Sequence, residues 1–178
     1  MSGEPVEPVA PVVVLVGPPG SGKSTVGAVL AARLGAEYRD TDADIVAAAG
    51  KPIADIFVDD GEPHFRELEA AAVRAALAGH AGVLALGGGA VLRADTRELL
   101  AGHRVAFLEV GQHDAIKRVG LDAPRPLLIG NPRARWRELM EQRRPLYTEV
   151  ARAVVATDGL TPDQVADAVL EALELEKA

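Results

Sequence analysis

Residues 17–25, with the sequence GPPGSGKST, constrain the fold of this chain more than any other feature. They follow a β-branched apolar run at 12–16, typical of a strand buried on both faces, and they precede a helical pattern that stops at Gly35. In such a motif, glycines let backbone N–H groups turn toward phosphate oxygens, a lysine adds a mobile cation, and a serine hydroxyl can bind Mg²⁺. The alternative is a glycine-rich turn that binds nothing. Such a turn would not need every fixed residue of the motif, nor a strand before it and a helix after it. The motif therefore predicts a phosphate-binding loop.

Length and composition favour one domain. A chain of 178 residues can bury one good core but is short for two. Residues 1–11 are acidic and rich in proline, so we expect a flexible tail before a single domain over residues 12–176. The tail lacks signal-sequence architecture, and apolar runs elsewhere stay short of the roughly 20 residues that cross a membrane, so a cytoplasmic protein is expected. Zero cysteines exclude disulfides and thiolate metal sites.

Charge is unevenly distributed along the chain. A net charge of −7 argues against a nucleic-acid partner. Residues 117–144 are nevertheless basic. Their cationic residues are Lys117, Arg118, Arg125, Arg133, Arg135, Arg137, Arg143 and Arg144, and their acidic residues are Asp122, Glu138 and Glu141. Such a supply of cations suits an anionic substrate, whereas a solvated basic helix face would account for Arg133, Arg135 and Arg137.

Strand-like and helix-like segments alternate, which favours a parallel α/β sheet. Strands are predicted at residues 12–16, 37–38, 83–86, 104–110 and 153–156. Helices are predicted at residues 24–34, 43–49, 53–59, 63–78, 95–101, 113–119, 133–150 and 161–174. Residues 120–131 lack helical periodicity and carry prolines on both sides of Arg125, which makes this segment a candidate mobile lid.

A pair of aspartates follows the short second strand, in the sequence Asp40-Thr41-Asp42. This places them at the carboxyl edge of the sheet, where ligands of open α/β folds bind. One carboxylate can orient Mg²⁺ through water, and the other can accept a hydrogen bond from a hydroxyl that is about to be phosphorylated. The alternative is that Asp42 or Asp44 caps the following helix.

Three glycines, Gly87, Gly88 and Gly89, directly follow the third predicted strand. Residues without side chains allow a ligand to contact the backbone itself. Because a plain turn needs one glycine or two, a run of three favours a binding role.

Two arginines complete the candidate site. Arg66 lies on a predicted helix, and Arg143 begins the sequence RRPLY near the end of another. A guanidinium matches a carboxylate with two parallel hydrogen bonds, so both suit an anionic substrate. Each could instead pair locally, Arg66 with Glu62 or Glu69, and Arg143 with solvent or Glu141.

Taken together, these motifs resemble the shikimate kinase family. The resemblance runs from about residue 12 to the last helix, and its motifs are GPPGSGKST, DTD at 40–42, FR at 65–66, GGG at 87–89, RPLL at 125–128 and RRPLY at 143–147. It implies a three-layer α/β/α P-loop kinase with a five-stranded parallel sheet ordered 2-3-1-4-5. It also implies ATP-dependent phosphorylation of the 3-hydroxyl of shikimate, in the pathway to chorismate and the aromatic amino acids.

The resemblance implies catalytic and nucleotide-binding roles. Lys23, Asp42 and Arg125 would be catalytic, with Asp42 accepting the proton of the attacking hydroxyl and Arg125 closing over the phosphates. ATP would be bound by Gly20, Ser21, Gly22, Lys23, Ser24, Thr25, Arg118, Arg125 and Pro162. Arg118 matches the residue that stacks on adenine.

Substrate and metal ligands are implied in the same way. Shikimate would be bound by Asp42, Arg66, Gly88, Gly89 and Arg143, with a substrate-binding region at about residues 41–69. Mg²⁺ would be held by Ser24 directly and by Asp40 through water.

The loop at residues 157–162 departs from the family pattern. Members of the family often place an arginine there, beside the adenine, whereas this loop reads TDGLTP. We expect the backbone and Pro162 to contact the base instead.

Two other functions compete with this interpretation. A gluconate-type or other small-molecule kinase would share the phosphate loop, but it would not need residues 40–42, the three glycines and Arg143 together. A regulatory nucleotide-binding module would tolerate loss of Asp42, Arg66 or Arg125, and all three are present. With no sustained heptad pattern or long exposed apolar stripe, we expect a monomer whose partners are ATP and shikimate, with no membrane partner.

Overall fold

The computed structural model of this chain describes residue 3, residues 7–120 and residues 131–178. Arg125, most of the predicted lid and part of the predicted tail lie outside the described residues. The described strands are β1 (Val13–Val16), β2 (Tyr38–Asp40), β3 (Val83–Ala85), β4 (Val105–Glu109) and β5 (Ala153–Ala156). The described α-helices are α1 (Lys23–Leu34), α2 (Thr41–Ala49), α3 (Ile53–Asp60), α4 (Glu62–Gly79), α5 (Ala94–Leu100), α6 (Gln112–Gly120), α7 (Pro132–Val150) and α8 (Pro162–Ala172).

The described strands form one parallel sheet in the order β2-β3-β1-β4-β5. This confirms the predicted order 2-3-1-4-5. β1 lies in the middle, where Val14 pairs with Leu84 of β3 on one side and with Val105 of β4 on the other. All of β1 is buried, because a central parallel strand is covered on both faces, and its sequence VVLV suits that position.

Helices cover both faces of the sheet, which confirms the predicted three-layer architecture. Successive side chains of β1 point to opposite faces. Val13 belongs to a core cluster with Leu30 of α1, and α8 packs on α1 over the same face. Val14 belongs to a second cluster with Val73 of α4 and Tyr147 of α7. Within the described ranges, no helix combines the length and the apolar character that a membrane span requires.

The sheet order brings the candidate site together. The carboxyl ends of parallel strands meet at one edge of the sheet. β1 leads into the phosphate loop, β2 ends at Asp40, and β3 is followed by Leu86 and then Gly87. Because β2, β3 and β1 are neighbours, the three motifs lie side by side.

The start of α2 differs from the prediction. This helix begins at Thr41 rather than at residue 43, because the Asp40 side chain caps it and its Oδ1 atom accepts a hydrogen bond from the Asp42 backbone N–H at 2.8 Å. The interpretation of Asp42 or Asp44 as the cap is therefore wrong. A short 3₁₀ helix at Ala90–Leu92, directly after the three glycines, was also not predicted.

Candidate active site

The phosphate-binding loop is held in shape by its own backbone. Gly20 and Gly22 adopt the left-handed conformation, with φ of 84° and 87°, which glycine adopts at little cost. Gly22 then caps α1 and has no side chain to occupy the first N–H groups of the helix. The Lys23 ammonium donates to the carbonyl oxygens of Gly17 at 2.7 Å and Pro18 at 3.1 Å. Backbone N–H groups, a helix N-terminus and a lysine therefore converge where an anion binds.

A cleft of about 370 Å³ lies above this loop. Its lining includes most of the residues predicted from the sequence, together with two apolar ones: Pro19, Gly20, Gly22, Lys23, Ser24, Thr25, Asp40, Asp42, Leu86, Gly88 and Arg118. Arg118, on α6, donates from Nη1 to the carbonyl oxygen of Gly20 at 2.9 Å. Five predicted site residues that the structure describes are not in this lining: Ser21, Arg66, Gly89, Arg143 and Pro162. Pro162 is exposed at the first turn of α8.

The two aspartates have different surroundings. Asp40 accepts hydrogen bonds from the backbone of Asp42 through Oδ1 and from the Tyr38 hydroxyl through Oδ2, the latter at 3.3 Å. Burial and the neighbouring Asp40 carboxylate raise the pKa of Tyr38 well above its ordinary value, so this hydroxyl stays protonated and remains a donor. Asp42, in the first turn of α2, approaches Gly87 so closely that a Cβ atom there would lie 2.5 Å from Asp42 Oδ1.

The outer two of the three glycines make room for polar side chains, and the middle one lies beside another. Gly87 accommodates Asp42, and its N–H donates to the buried hydroxyl of Thr41 at 3.3 Å. A Cβ atom at Gly88 would lie 3.2 Å from Cδ of Pro19 and, in ordinary contact, 3.5 Å from Nη1 of Arg143, whereas one at Gly89 would overlap the guanidinium of Arg66. The structure thus joins the predicted substrate residues around one backbone segment.

Arg66 and Arg143 differ in their pairing. Arg66 forms ion pairs with both of its predicted local partners, Glu69 at 2.9 Å and Glu62 at 3.3 Å. The side chain of Arg143 is buried, and its Nε and Nη1 atoms have no hydrogen-bond partner within the described residues. The alternative that Arg143 faces solvent is therefore wrong, whereas Arg133, Arg135 and Arg137 are exposed, as a solvated helix face requires.

Glu69 is a buried carboxyl next to these cations. Burial raises its pKa, and the charge of Arg66 and a hydrogen bond from it lower the pKa, as does the charge of Arg143. Sequence reasoning treated Glu69 only as a local partner of Arg66 and gave Thr41 no role. The sequence signal for Glu69 was its i,i+3 spacing from Arg66. The signal for Thr41 was its position between Asp40 and Asp42.

The comparisons with known proteins point in one direction. A family model described as shikimate kinase matches residues 19–174. The chain belongs to the shikimate kinase family. A shikimate kinase from Streptomyces avermitilis is 69% identical to it, over 94% of this chain and 98% of its own length. The structure of shikimate kinase from Acinetobacter baumannii in complex with shikimate is similar with a TM-score of 0.88 and 36% identity, covering 93% of each chain.

A more distant neighbour bears on the competing function. A gluconokinase from Sinorhizobium meliloti has a TM-score of 0.57 and 23% identity, covering 94% of this chain and 92% of its own. That likeness extends to the fold alone. Family membership makes the chain an ATP-dependent kinase of shikimate in aromatic amino-acid biosynthesis, rather than a gluconate-type kinase.

Proposed function

We propose that this cleft phosphorylates the 3-hydroxyl of shikimate, with ATP on the side of the phosphate loop and shikimate on the side of the glycines. The observation that best supports this arrangement is the buried guanidinium of Arg143, which has two nitrogens unpartnered within the described residues and lies beside Gly88. Glu69 lies near this cation, but Nε and Nη1 of Arg143 have no acceptor among the described residues, and buried N–H groups of this kind need one. The carboxylate of shikimate supplies one, and Arg66 beside Gly89 offers it a second guanidinium.

On the nucleotide side, Lys23 is proposed to contact the β- and γ-phosphates and to stabilise the transferring group. Its ammonium already lies within the loop, bonded to two backbone carbonyls. The N-terminus of α1 adds N–H groups and the positive end of the helix dipole. The remaining loop residues proposed to bind ATP are Gly20, Ser21, Gly22, Ser24 and Thr25.

On the acceptor side, Asp42 is proposed to bind a ring hydroxyl and to take the proton of the attacking 3-hydroxyl. It lines the same cleft as Lys23, so acceptor and phosphate can meet there. Two hydrogen bonds next to Asp42 hold its backbone in place. Thr41 accepts one from the Gly87 N–H, and Asp40 caps the helix that carries Asp42.

The oxygens in the cleft fit Mg²⁺. Ser24 and Asp40 both line it, and hydroxyl and carboxylate oxygens are hard ligands of the kind that Mg²⁺ prefers. Both oxygens of Asp40 accept hydrogen bonds from the protein, which supports a role in holding the metal through water. Bound to ATP, Mg²⁺ would supply charge neutralisation at the phosphates.

Two further nucleotide contacts are proposed from the ends of other helices. Arg118 is proposed to stack on adenine, since it already reaches the phosphate loop at Gly20, and Pro162 is proposed to contact the base from α8. Arg125 lies outside the described residues. Its role as a lid arginine rests on its position between two prolines in residues 120–131.

The remaining proposals concern the whole protein. We propose that residues 12–176 act as one kinase domain, that the protein works as a monomer, and that it does so in the cytoplasm. The cytoplasm is where ATP is available to it, and a net charge of −7 does not favour nucleic acid. Size-exclusion chromatography with light scattering would test the monomer.

The experiment that tests the function is an assay of ADP release with shikimate, gluconate, sugars and nucleosides as acceptors. Of these acceptors, we expect turnover only with shikimate. Shikimate methyl ester should be a poor substrate, because it lacks the negative charge with which the two guanidinium groups are proposed to pair. Equal use of the acid and the ester would contradict the carboxylate clamp of Arg66 and Arg143. Turnover with gluconate but not with shikimate would contradict the function itself.

A further inference from the structure

Tyr147, in the RRPLY motif, has no role in the proposed mechanism, but it is hydrogen-bonded to one of the three glycines of the candidate site. Its hydroxyl donates to the carbonyl oxygen of Gly88 at 2.5 Å, across 59 positions of the chain. Its ring is fully buried and packs against Phe107 of β4, with ring centroids 5.0 Å apart. A buried aromatic ring held in this way gives its hydroxyl a fixed position.

This hydrogen bond constrains a backbone segment that has little to hold it. Glycine has more backbone freedom than any other residue, so three in succession are costly to order. Because the peptide unit is planar and trans, fixing the Gly88 carbonyl also fixes the direction of the Gly89 N–H, which points away from Tyr147. Tyr147 therefore sets the orientation of the peptide between the two glycines proposed to bind shikimate.

The same tyrosine lies beside the buried arginine. Arg143 precedes it by four residues on α7, one helical turn away, and a Cβ atom at Gly88 would lie 3.5 Å from Arg143 Nη1. Burial raises the pKa of Tyr147, and the charge of Arg143 and a hydrogen bond with Arg143 partly oppose this rise. The net pKa is about 12. The hydroxyl therefore remains protonated, and remains a donor, near neutral pH.

We propose that Tyr147 is a positioning residue for the acceptor substrate, because its hydroxyl orients the Gly88–Gly89 peptide beside the Arg143 guanidinium. This rests on the proposed roles of Gly88, Gly89 and Arg143 in binding shikimate. Tyr147 touches neither phosphate nor metal in this scheme, so its effect is on the acceptor alone.

The test compares Tyr147→Phe, which removes only the hydroxyl, with Thr148→Val as a matched control. Thr148 also donates its hydroxyl to a backbone carbonyl, that of Arg144 at 2.9 Å, but it lies on the exposed side of the same helix. For Tyr147→Phe we expect the shikimate KM and the calorimetric Kd for shikimate to rise about tenfold, the order expected when a buried carbonyl loses its donor. The ATP KM should stay within about twofold of the parent value. Thr148→Val should change neither.

An unchanged shikimate Kd in folded Tyr147→Phe would overturn the proposal. An equal rise in both KM values would also overturn it, since a general loss of packing has that result. Phe107→Leu gives a second test that keeps the hydroxyl but removes the ring beneath it. The same selective rise in shikimate KM is expected there, and an unchanged value would count against the proposal.

Arg143→Lys in the same assay separates this proposal from the proposed function. If Arg143→Lys raises the shikimate KM and Tyr147→Phe does not, the carboxylate clamp stands and the role of Tyr147 is wrong. If only Tyr147→Phe raises it, the clamp is wrong, whereas the orientation of the glycine peptide by Tyr147 is supported.

Discussion

Gly89 shows how a missing side chain can make room for a neighbouring guanidinium. Its φ is −97°, a conformation open to any residue, so the backbone does not require glycine there. What requires it is space, because a Cβ atom would overlap the guanidinium of Arg66. Position 89 therefore requires glycine for steric reasons and not because of its backbone conformation.

Gly89→Ala is therefore expected to displace Arg66 and to raise the shikimate KM by about tenfold or more, with a smaller effect on the ATP KM. The matched control is Gly79→Ala at the end of α4, where a Cβ atom would meet no described atom within 4 Å. That change should leave both KM values as they are. Steady-state kinetics on the two variants provide the measurement, and equal effects on both substrates in Gly89→Ala would contradict the argument.

At the residue scale, the role proposed for Lys23 is electrostatic stabilisation of the transferring phosphoryl group. Lys23→Met should lower kcat by about a thousandfold while the fold survives, because charge stabilisation of the transferring group is lost. Circular dichroism would confirm the fold, and an ADP-release assay would give the rate. Retention of more than about a tenth of parental turnover would show that the loop is not the catalytic phosphate site.

Glu69 makes stability depend on pH. Its pKa is raised by burial above the ordinary value of 4.5. An acid with a raised pKa in the folded state contributes stability that is fully present below the unfolded pKa and is lost as the pH rises through the folded pKa. Glu69→Gln has no such titration. We therefore expect the melting temperature of Glu69→Gln, relative to the parent, to increase from about pH 4 to pH 7. Thermal melts across that range would measure it, and a flat or falling difference would contradict the effect of burial.

At the scale of elements, Asp40 caps the short helix α2 and is separately proposed to hold Mg²⁺. Asparagine caps a helix as well as aspartate does, but it lacks the charge proposed to hold Mg²⁺ through water. Asp40→Asn should therefore melt close to the parent and need more Mg²⁺ for full activity. Asp40→Ala should also lose about 1 kcal/mol of stability with the cap.

Melting curves and Mg²⁺ titrations of kcat distinguish the two roles of Asp40. Equal losses of stability in both variants would rule out the cap. An unchanged Mg²⁺ dependence would rule out the metal role.

The elements themselves could be read from the sequence. Strand β1 was predicted to within a residue, because an apolar β-branched run directly before a glycine-rich loop is typical of a buried strand. The order of the strands was not contained in any local pattern and came from the resemblance. The alternative that Asp42 or Asp44 caps α2 was wrong, since Asp40, Asp42 and Asp44 are all good capping residues and only the backbone geometry distinguishes them.

The burial of Arg143 was beyond local reasoning. The helix that carries it is rich in basic residues, and its pattern predicts a solvated face. Which arginine turns inward depends on how α7 lies against β4 and the glycine loop, and the bond between Tyr147 and Gly88 spans 59 positions. Contacts of that separation leave no periodic trace in the sequence.

At the scale of the whole molecule, the two core clusters share the central strand. Val13 and Leu15 of β1 belong to one cluster, and Val14 and Val16 belong to the other. Neither layer of helices can leave without exposing β1, so unfolding should be a single cooperative transition.

Trp136, the only tryptophan, lies in the cluster that includes Val14, far in sequence from α1 and on the face opposite α1 and α8. We expect its fluorescence and the far-ultraviolet circular dichroism to melt at the same temperature, and ATP to raise both midpoints equally. Two separate transitions would mean that residues 12–176 are not one domain.

If Tyr147 orients the acceptor site as proposed, its hydrogen bond to Gly88 also determines when the chain can first recognise shikimate during synthesis. Helices form within microseconds, whereas contacts between distant segments must wait until both segments exist. The phosphate loop is complete once residue 25 has emerged from the ribosome, but the proposed acceptor side includes Arg143 and Tyr147 from α7. On this proposal, a nascent chain carries its phosphate loop through most of translation before it can distinguish shikimate from any other hydroxyl compound.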